Sequence, residues 1–219
     1  VKLLAIDLFC GLGGWADGFL AEGYDVVGFD IERHDYGHGA YPGDLVIQDV
    51  LALHGSQFAD ATVIVASPPC QAYSYRAMPW KRAKALPPPD NSLFDACFRI
   101  QREASAAAGR HIPLIVENVR GAEKWVGRAK WHFGSYYLWG DVPALMPTMR
   151  VIKVSTQSWS DFKKTGKVPP HWRMARFGWA GTRMQESSSK STQRKQASAE
   201  IAKIPFPLAQ YIARCFKTN

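Results

Sequence analysis

Short apolar runs alternate with longer amphipathic stretches through the first two-thirds of the chain. KLLAID (residues 2–7), YDVVGFD (24–30), LVIQD (45–49), TVIVASP (62–68) and IPLIVEN (112–118) read as strands, and runs this apolar suit strands buried on both faces. WADGFLAEG, ending at Gly23, and the stretch from Asn91 to about Ala108 read as helices. Strands that alternate with helices are joined by right-handed crossovers, which predicts an α/β fold with a mainly parallel sheet over residues 1–149. After Met149 the pattern dissolves into Ser, Lys, Arg, Gly and scattered Trp, including SSSKSTQRKQ. Residues 150–198 are therefore expected to form a small, basic, irregular insert. The chain then returns, over 199–219, to the apolar helix PLAQYIARCF, expected to dock back on the sheet.

Composition narrows the class. A length of 219 residues, 47% of them hydrophobic, suffices for one α/β domain with a full core. No apolar run approaches the roughly 20 residues that span a bilayer, and VKLLAIDLF lacks a signal-peptide cleavage pattern, so a soluble, intracellular protein is expected. Cys10, Cys70, Cys97 and Cys215 are widely spaced, with no CxxC pair and no neighbouring histidine; neither a metal site nor a disulfide framework is expected.

Charge is informative once located. Residues 150–203 carry 12 Lys and Arg against 3 Asp and Glu, whereas the rest of the chain carries 15 against 16. Arg76, Lys81, Arg82 and Lys84 form a second basic cluster. This asymmetry favours a polyanionic partner, since each phosphate contact releases condensed counterions; a solvated basic face is the alternative.

DLFCGLGG (7–14) follows the first strand. Its glycines permit a tight turn and close backbone approach at the strand's C-terminal edge, where open α/β sheets bind ligands. The turn lacks GK[ST] and the full GxGxxG spacing, so it is not read as a phosphate cradle. Asp30, ending the second strand, is placed to accept hydrogen bonds from ribose hydroxyls, and Asp49, after the third, from an adenine amine. Either residue would also serve as a helix N-cap or a solvated carboxylate. An adenosine-containing cofactor without a pyrophosphate site fits S-adenosylmethionine better than NAD.

ASPPCQAYS (66–74) closes the fourth strand. A free cysteine is most often a small buried hydrophobe. Cys70, however, follows two prolines that stop the strand in the proposed crevice, which suggests a nucleophile. Glu117 ends the apolar strand IVEN, where a carboxyl has a raised pKa and can donate a proton; pairing with Arg120 is the structural alternative.

DLFCGLGG, Asp30, SPPCQAYS, ENV and the late IPFPLA stand in the order of the conserved motifs of C5-cytosine DNA methyltransferases, which this sequence resembles over residues 1 to about 140 and again from about 199 to 216. The resemblance implies a Rossmann-like S-adenosylmethionine-dependent methyltransferase fold. It implies that Cys70 adds to cytosine C6 and that Glu117 contacts N3 and the exocyclic amine of a base flipped out of double-stranded DNA. Phe9, Gly11, Leu12, Gly13, Asp30, Ile31, Asp49, Val50 and Pro69 correspond to cofactor-binding positions, with Ala202 and Lys203 near the methionine end.

Gln71, Ser74 and Arg76 fall on the DNA side. The family's Gln-x-Arg-x-Arg strand has no clear counterpart here; Arg120 and Arg128 are candidates to replace it. The target-recognition region is reduced to the insert, where Arg173, Arg176 and Arg183 lie among Trp172, Phe177 and Trp179 and are candidates for base or groove contacts. Lys190, Arg194 and Lys195 suit phosphates. A monomer without metal is expected, acting in the cytoplasm of a bacterial cell whether bacterial or viral in origin. Methylation of RNA cytosine, or DNA binding by a catalytically degenerate relative, are the alternatives.

Overall fold

The computed structural model describes residues 3–34, 39–73, 87–146, 199–200 and 202–217. The chain divides into two compact units, one of residues 1–34, 40–148 and 204–219 and the other of 35–39 and 149–203. The elements below belong to the first.

Strands β1 (Leu4–Leu8), β2 (Asp25–Asp30), β3 (Asp44–Ile47), β4 (Val63–Ala66) and β5 (Leu114–Asn118) are joined by α1 (Gly14–Ala21), the 3-10 turns Val50–Ala52 and Gly55–Phe58, and α2 (Ser92–Ala108). A 3-10 turn, Arg120–Ala122, and the short helix α3 (Glu123–Val126) lead to strands β6 (Trp131–Phe133) and β7 (Tyr136–Gly140); helix α4 (Phe206–Phe216) closes the unit. The seven strands lie in the order β3-β2-β1-β4-β5-β7-β6. β1 to β5 run parallel to their neighbours, and β7 is antiparallel to both β5 and β6. This is the predicted Rossmann-like architecture, with one addition. The sequence reading found no strand in WHFGSYYLWG; the structure makes it a hairpin that extends the sheet past β5.

All four residues of β4 and all five of β5 are buried, because both faces of the sheet are covered. On one face Ile64, Leu114 and Val116 pack with Phe94, Cys97 and Ile100 of α2. On the other, Val63, Val65, Ile115 and Leu138 pack with Trp15 and Phe19 of α1 and with Leu208, Ala209 and Ile212 of α4. Tyr24 donates its hydroxyl to the Ala213 carbonyl at 3.0 Å, pinning α4 to the end of α1.

Helices α1 and α4 approach each other closely at Gly18. A Cβ there would lie 2.5 Å from both the Ala209 Cβ and the Gln210 backbone nitrogen, so neither side has a flexible group that can yield. Gly18→Val is expected to cost about 1–3 kcal/mol of stability by overpacking, measured as a lower urea midpoint with unchanged slope. An unchanged midpoint would mean that the helices separate freely.

Candidate active site

The sheet order reverses between β1 and β4, whose last residues, Leu8 and Ala66, are paired. In open α/β sheets the loops diverging at such a point leave a crevice beyond the strand ends. Across the C-terminal edge the candidate residues therefore follow strand order: Asp49 after β3, Asp30 on β2, the Phe9–Gly13 turn after β1, the Pro69–Cys70 turn after β4, and Glu117 on β5.

The turn after β1 is sharp. Phe9 takes φ 58, unusual for a residue with a side chain, and Gly11 and Gly13 take φ 50 and 71. A Cβ on Gly11 would meet nothing within 4 Å, so glycine is required there by conformation and the space beside it is open. The Gly11 N–H donates to Asp30 Oδ2 at 2.9 Å, and the Ile31 N–H to Oδ1 at 2.8 Å. His34 Nε2 stands 3.3 Å from the same Oδ1. Burial works to raise the pKa of Asp30, but His34 and these amides outweigh it and hold the carboxyl below its ordinary value. Asp30 thus braces the glycine turn. The Ile31 side chain is 70% exposed beside it. Asp49 accepts the Leu51 N–H at 2.9 Å and caps the 3-10 turn, while the Val50 side chain is buried in the core.

Asp7, which the sequence reading did not single out, is fully buried on β1. Its Oδ2 accepts the Tyr41 hydroxyl at 3.0 Å, and its Oδ1 is buried with no partner among the described residues. Desolvation raises its pKa to about 8, with the Tyr41 bond opposing and Asp30 adding. An acid inside an otherwise apolar strand, LAIDL, was the available signal. An unsatisfied buried carboxyl, an open glycine turn, a charged Asp30 and an exposed aliphatic side chain together fit a ligand that offers a cation, hydroxyls and a flat apolar ring.

The turn after β4 is braced from inside. Asn118 donates from Nδ2 to the Pro68 carbonyl at 3.0 Å, while its Oδ1 accepts the Val119 N–H at 2.8 Å. The Tyr73 N–H donates to the Cys70 carbonyl at 3.0 Å, and its hydroxyl reaches Asn91 Oδ1 at 2.8 Å. Asn118 carries no mark in the sequence beyond its place in ENV; its burial at a strand end is what makes it a clamp. Cys10 and Cys97 are buried, and burial pushes both thiols up. Cys70 is half-buried at the sheet edge, with Pro69 and Gln71 exposed on either side. A cavity of 260 Å³ backs the turn, lined by Pro68, Pro69, Tyr73 and, from the start of α2, Ser92, Leu93 and Phe94.

Glu117 is buried, and desolvation pushes its pKa up to about 8, with the Ser67 hydroxyl opposing. Among the described residues it makes no ion pair; Arg120, its alternative partner, is exposed, as is Arg128. Tyr136 lies on the same face two residues from Leu138, the β7 partner of Glu117. Burial and the charge of Glu117 both raise the Tyr136 pKa, to about 12. The carboxyl is therefore neutral near pH 7 and can donate a proton. Ala202 and Lys203 belong to the other unit, where the Lys203 N–H donates to the Ala199 carbonyl at 3.0 Å. Ser74 and Arg76, with the basic segment 76–84, and Arg173, Arg176 and Arg183, with Lys190, Arg194 and Lys195, lie outside the described residues.

A family model described as C-5 cytosine-specific DNA methylase matches residues 3–125. No curated protein matches the chain. Among solved structures, a protein described as a DNA modification methyltransferase encoded within an E. coli prophage is 23% identical, with a TM-score of 0.38 over 57% of this chain and 35% of that one. The S. pombe Dnmt2 methyltransferase is 18% identical, with a TM-score of 0.38 over 57% and 36%. Magnesium protoporphyrin IX methyltransferase from Synechocystis, with bound SAM, is 17% identical, with a TM-score of 0.31 over 55% and 51%. The match thus spans about a third to a half of the length of these structures.

Proposed function

Because the chain belongs to the C-5 cytosine-specific DNA methylase family, we propose that it methylates C5 of a flipped-out cytosine in double-stranded DNA, with S-adenosylmethionine as methyl donor. The observation that carries this reading is a half-buried thiol, Cys70, in the turn after β4 together with a buried carboxyl, Glu117, on the neighbouring strand β5, its pKa raised to about 8.

Cytosine C5 is a weak nucleophile. Cys70 Sγ, as thiolate, forms a bond to C6, and the electron pair displaced from the C5–C6 double bond moves into the ring. Glu117 holds its proton at N3, where the developing charge is neutralised. S-adenosylmethionine, when bound, supplies a methyl group to C5. Loss of the C5 proton to a base then returns an electron pair to the C5–C6 bond, and Cys70 leaves as thiolate. A base inside a duplex offers neither face to these groups, so it must leave the stack.

Residues Phe9 to Gly13, Asp30, Ile31, Asp49 and Pro69 would hold the cofactor, Val50 through its main chain and Asp7 through its unsatisfied oxygen toward a cationic group. Gln71, Ser74 and Arg76 would meet the DNA backbone. The segment 150–198, with Arg173, Arg176 and Arg183, would be the target-recognition region, and Arg120 a further DNA contact.

The test is incubation of the full chain with labelled S-adenosylmethionine and matched DNA and RNA duplexes, with bisulfite sequencing of the products. Label at cytosine C5 in DNA is expected. Label confined to RNA would move the substrate to RNA, and absence of transfer to either would reject the enzymatic reading.

A further inference from the structure

Glu117 is useful as a proton donor only if its proton is on the oxygen that faces the base. A carboxyl has two oxygens, and the one facing the protein interior is the wrong one. The neighbours of Glu117 bear on which oxygen carries the proton.

Val63 and Val65 of β4, Ile115 of β5 and Trp15 of α1 share one face of the sheet, and alternation along the strands puts Ser67 and Glu117 on it too. The parallel register pairs Ala66 with Val116; one step further, Ser67 stands across from Glu117. Trp15, buried at the start of α1 directly after the glycine turn, points its indole Nε1 at the Ser67 Oγ, 3.0 Å away. Indole N–H is a donor only, so Ser67 must accept from Trp15, which leaves the hydroxyl proton for its other neighbour. Glu117 is next to Ser67 across the β4–β5 pair, and the Ser67 hydroxyl opposes the rise of its pKa. An oxygen that accepts from Ser67 is disfavoured as the proton's seat. The first link of a donation chain toward Glu117, from Trp15 to Ser67, is therefore set by geometry.

We propose that Trp15 and Ser67 are positioning residues that fix the Glu117 proton on the carboxyl oxygen turned away from Ser67, toward the base. The assignment rests on the cytosine reading above. It also links the two halves of the crevice, since Trp15 immediately follows the proposed cofactor turn while Ser67 precedes the Cys70 turn. The other titratable groups near the carboxyl are Tyr136 on β7 and Cys70 beyond Ser67. Asp7, on the same face, is two strands away. α4 presents apolar residues, Leu208 and Ile212, to this cluster.

The test is carbon NMR of the full-length protein carrying carboxyl-labelled glutamate, with Glu117→Gln identifying the resonance. Wild-type Glu117 is expected to titrate near 8. Ser67→Ala removes a donor to the ionised form, so the titration moves up by about one pH unit. Ser67→Thr keeps the hydroxyl and titrates with wild type. Trp15→Phe lets the hydroxyl turn and moves the titration in the same direction by less. In turnover, Ser67→Ala lowers kcat about tenfold with KM unchanged, as expected for one hydrogen bond, and Ser67→Thr restores it. A merely structural role for Ser67 would lower stability without moving the titration. A Ser67→Ala protein whose Glu117 titrates as in wild type overturns the proposal. If the titrations move as expected but wild type transfers no methyl to cytosine, the donation order stands and the cytosine reading fails.

Discussion

Cys70→Ala is expected to abolish methyl transfer and to remove the covalent link to DNA. Loss of a nucleophile costs on the order of 10⁶ in turnover in a well-studied case, which places the variant below detection in a labelled-methyl assay. The link itself is observable with duplex DNA carrying 5-fluorocytosine. After addition of Sγ to C6 and methylation at C5, fluorine cannot depart as a proton does, so the carbon–sulfur bond persists through denaturing electrophoresis. Wild-type protein should give the shifted band and Cys70→Ala none. Cys97→Ala and Cys215→Ala should retain it, because Cys97 is sealed in the core and Cys215 is exposed on α4. A band that survives in Cys70→Ala would reject Cys70 as the nucleophile. The local reason for the assignment is geometric: the turn is held by Asn118 and Tyr73 from inside, so the thiol cannot withdraw into the core as Cys10 and Cys97 do.

Glu117→Gln is expected to slow methyl transfer by about 10² or more, the usual cost of a lost transition-state contact, with cofactor binding retained in calorimetry. Its pH dependence is the sharper readout. Wild-type Glu117 has its pKa raised from 4.5 to about 8. The protonated form is the active one, so the rate falls as pH rises through about 8, and this limb should vanish in Glu117→Gln. Stability follows the same sign. Between the unfolded and folded pKa values the folded chain keeps a proton that the unfolded chain releases. The stability tied to this proton is therefore complete below about 4.5 and is lost as pH rises through about 8. Urea unfolding at pH 5 and pH 8.5 should show a smaller decline in Glu117→Gln than in wild type. An equal decline, with turnover unchanged, would make Glu117 a structural residue. Asp7, also raised to about 8, contributes a decline of the same sign in both proteins.

Much of the fold was legible because burial on both faces leaves its mark on composition. A central parallel strand has no polar face, so VIVA and LIVEN read as strands unaided, and helix α2 shows its start and stop at Asn91 and Gly109. The motif residues were legible for a related reason: acids, prolines and a thiol at strand ends interrupt an apolar pattern. The β6–β7 hairpin was missed because β6 is only three residues long and its aromatic side chains suit several environments. Its turn, Gly134–Ser135, specifies a reversal only once β5 offers an edge to pair with.

The tertiary structure alone decided what the candidate residues touch. Asp30 was legible as a strand-end acid, yet that it grips the Gly11 amide depends on β1 and β2 being neighbours. Asp7 and Asn118 acquire roles only through burial, which makes an unpaired carboxyl oxygen costly and turns an amide into a clamp on a turn 50 residues away. Trp15, Ser67 and Glu117 are widely separated in the chain and carry no shared pattern. The sheet order brings β1, β4 and β5 side by side, and only that adjacency sets the Trp15 indole 3.0 Å from the Ser67 hydroxyl, next to Glu117. Local composition thus determines which segments form strands and which residues interrupt them, because burial acts on each segment separately. The direction of hydrogen bonds among distant side chains is a property of the packed sheet, because a donor has no partner until the strands meet.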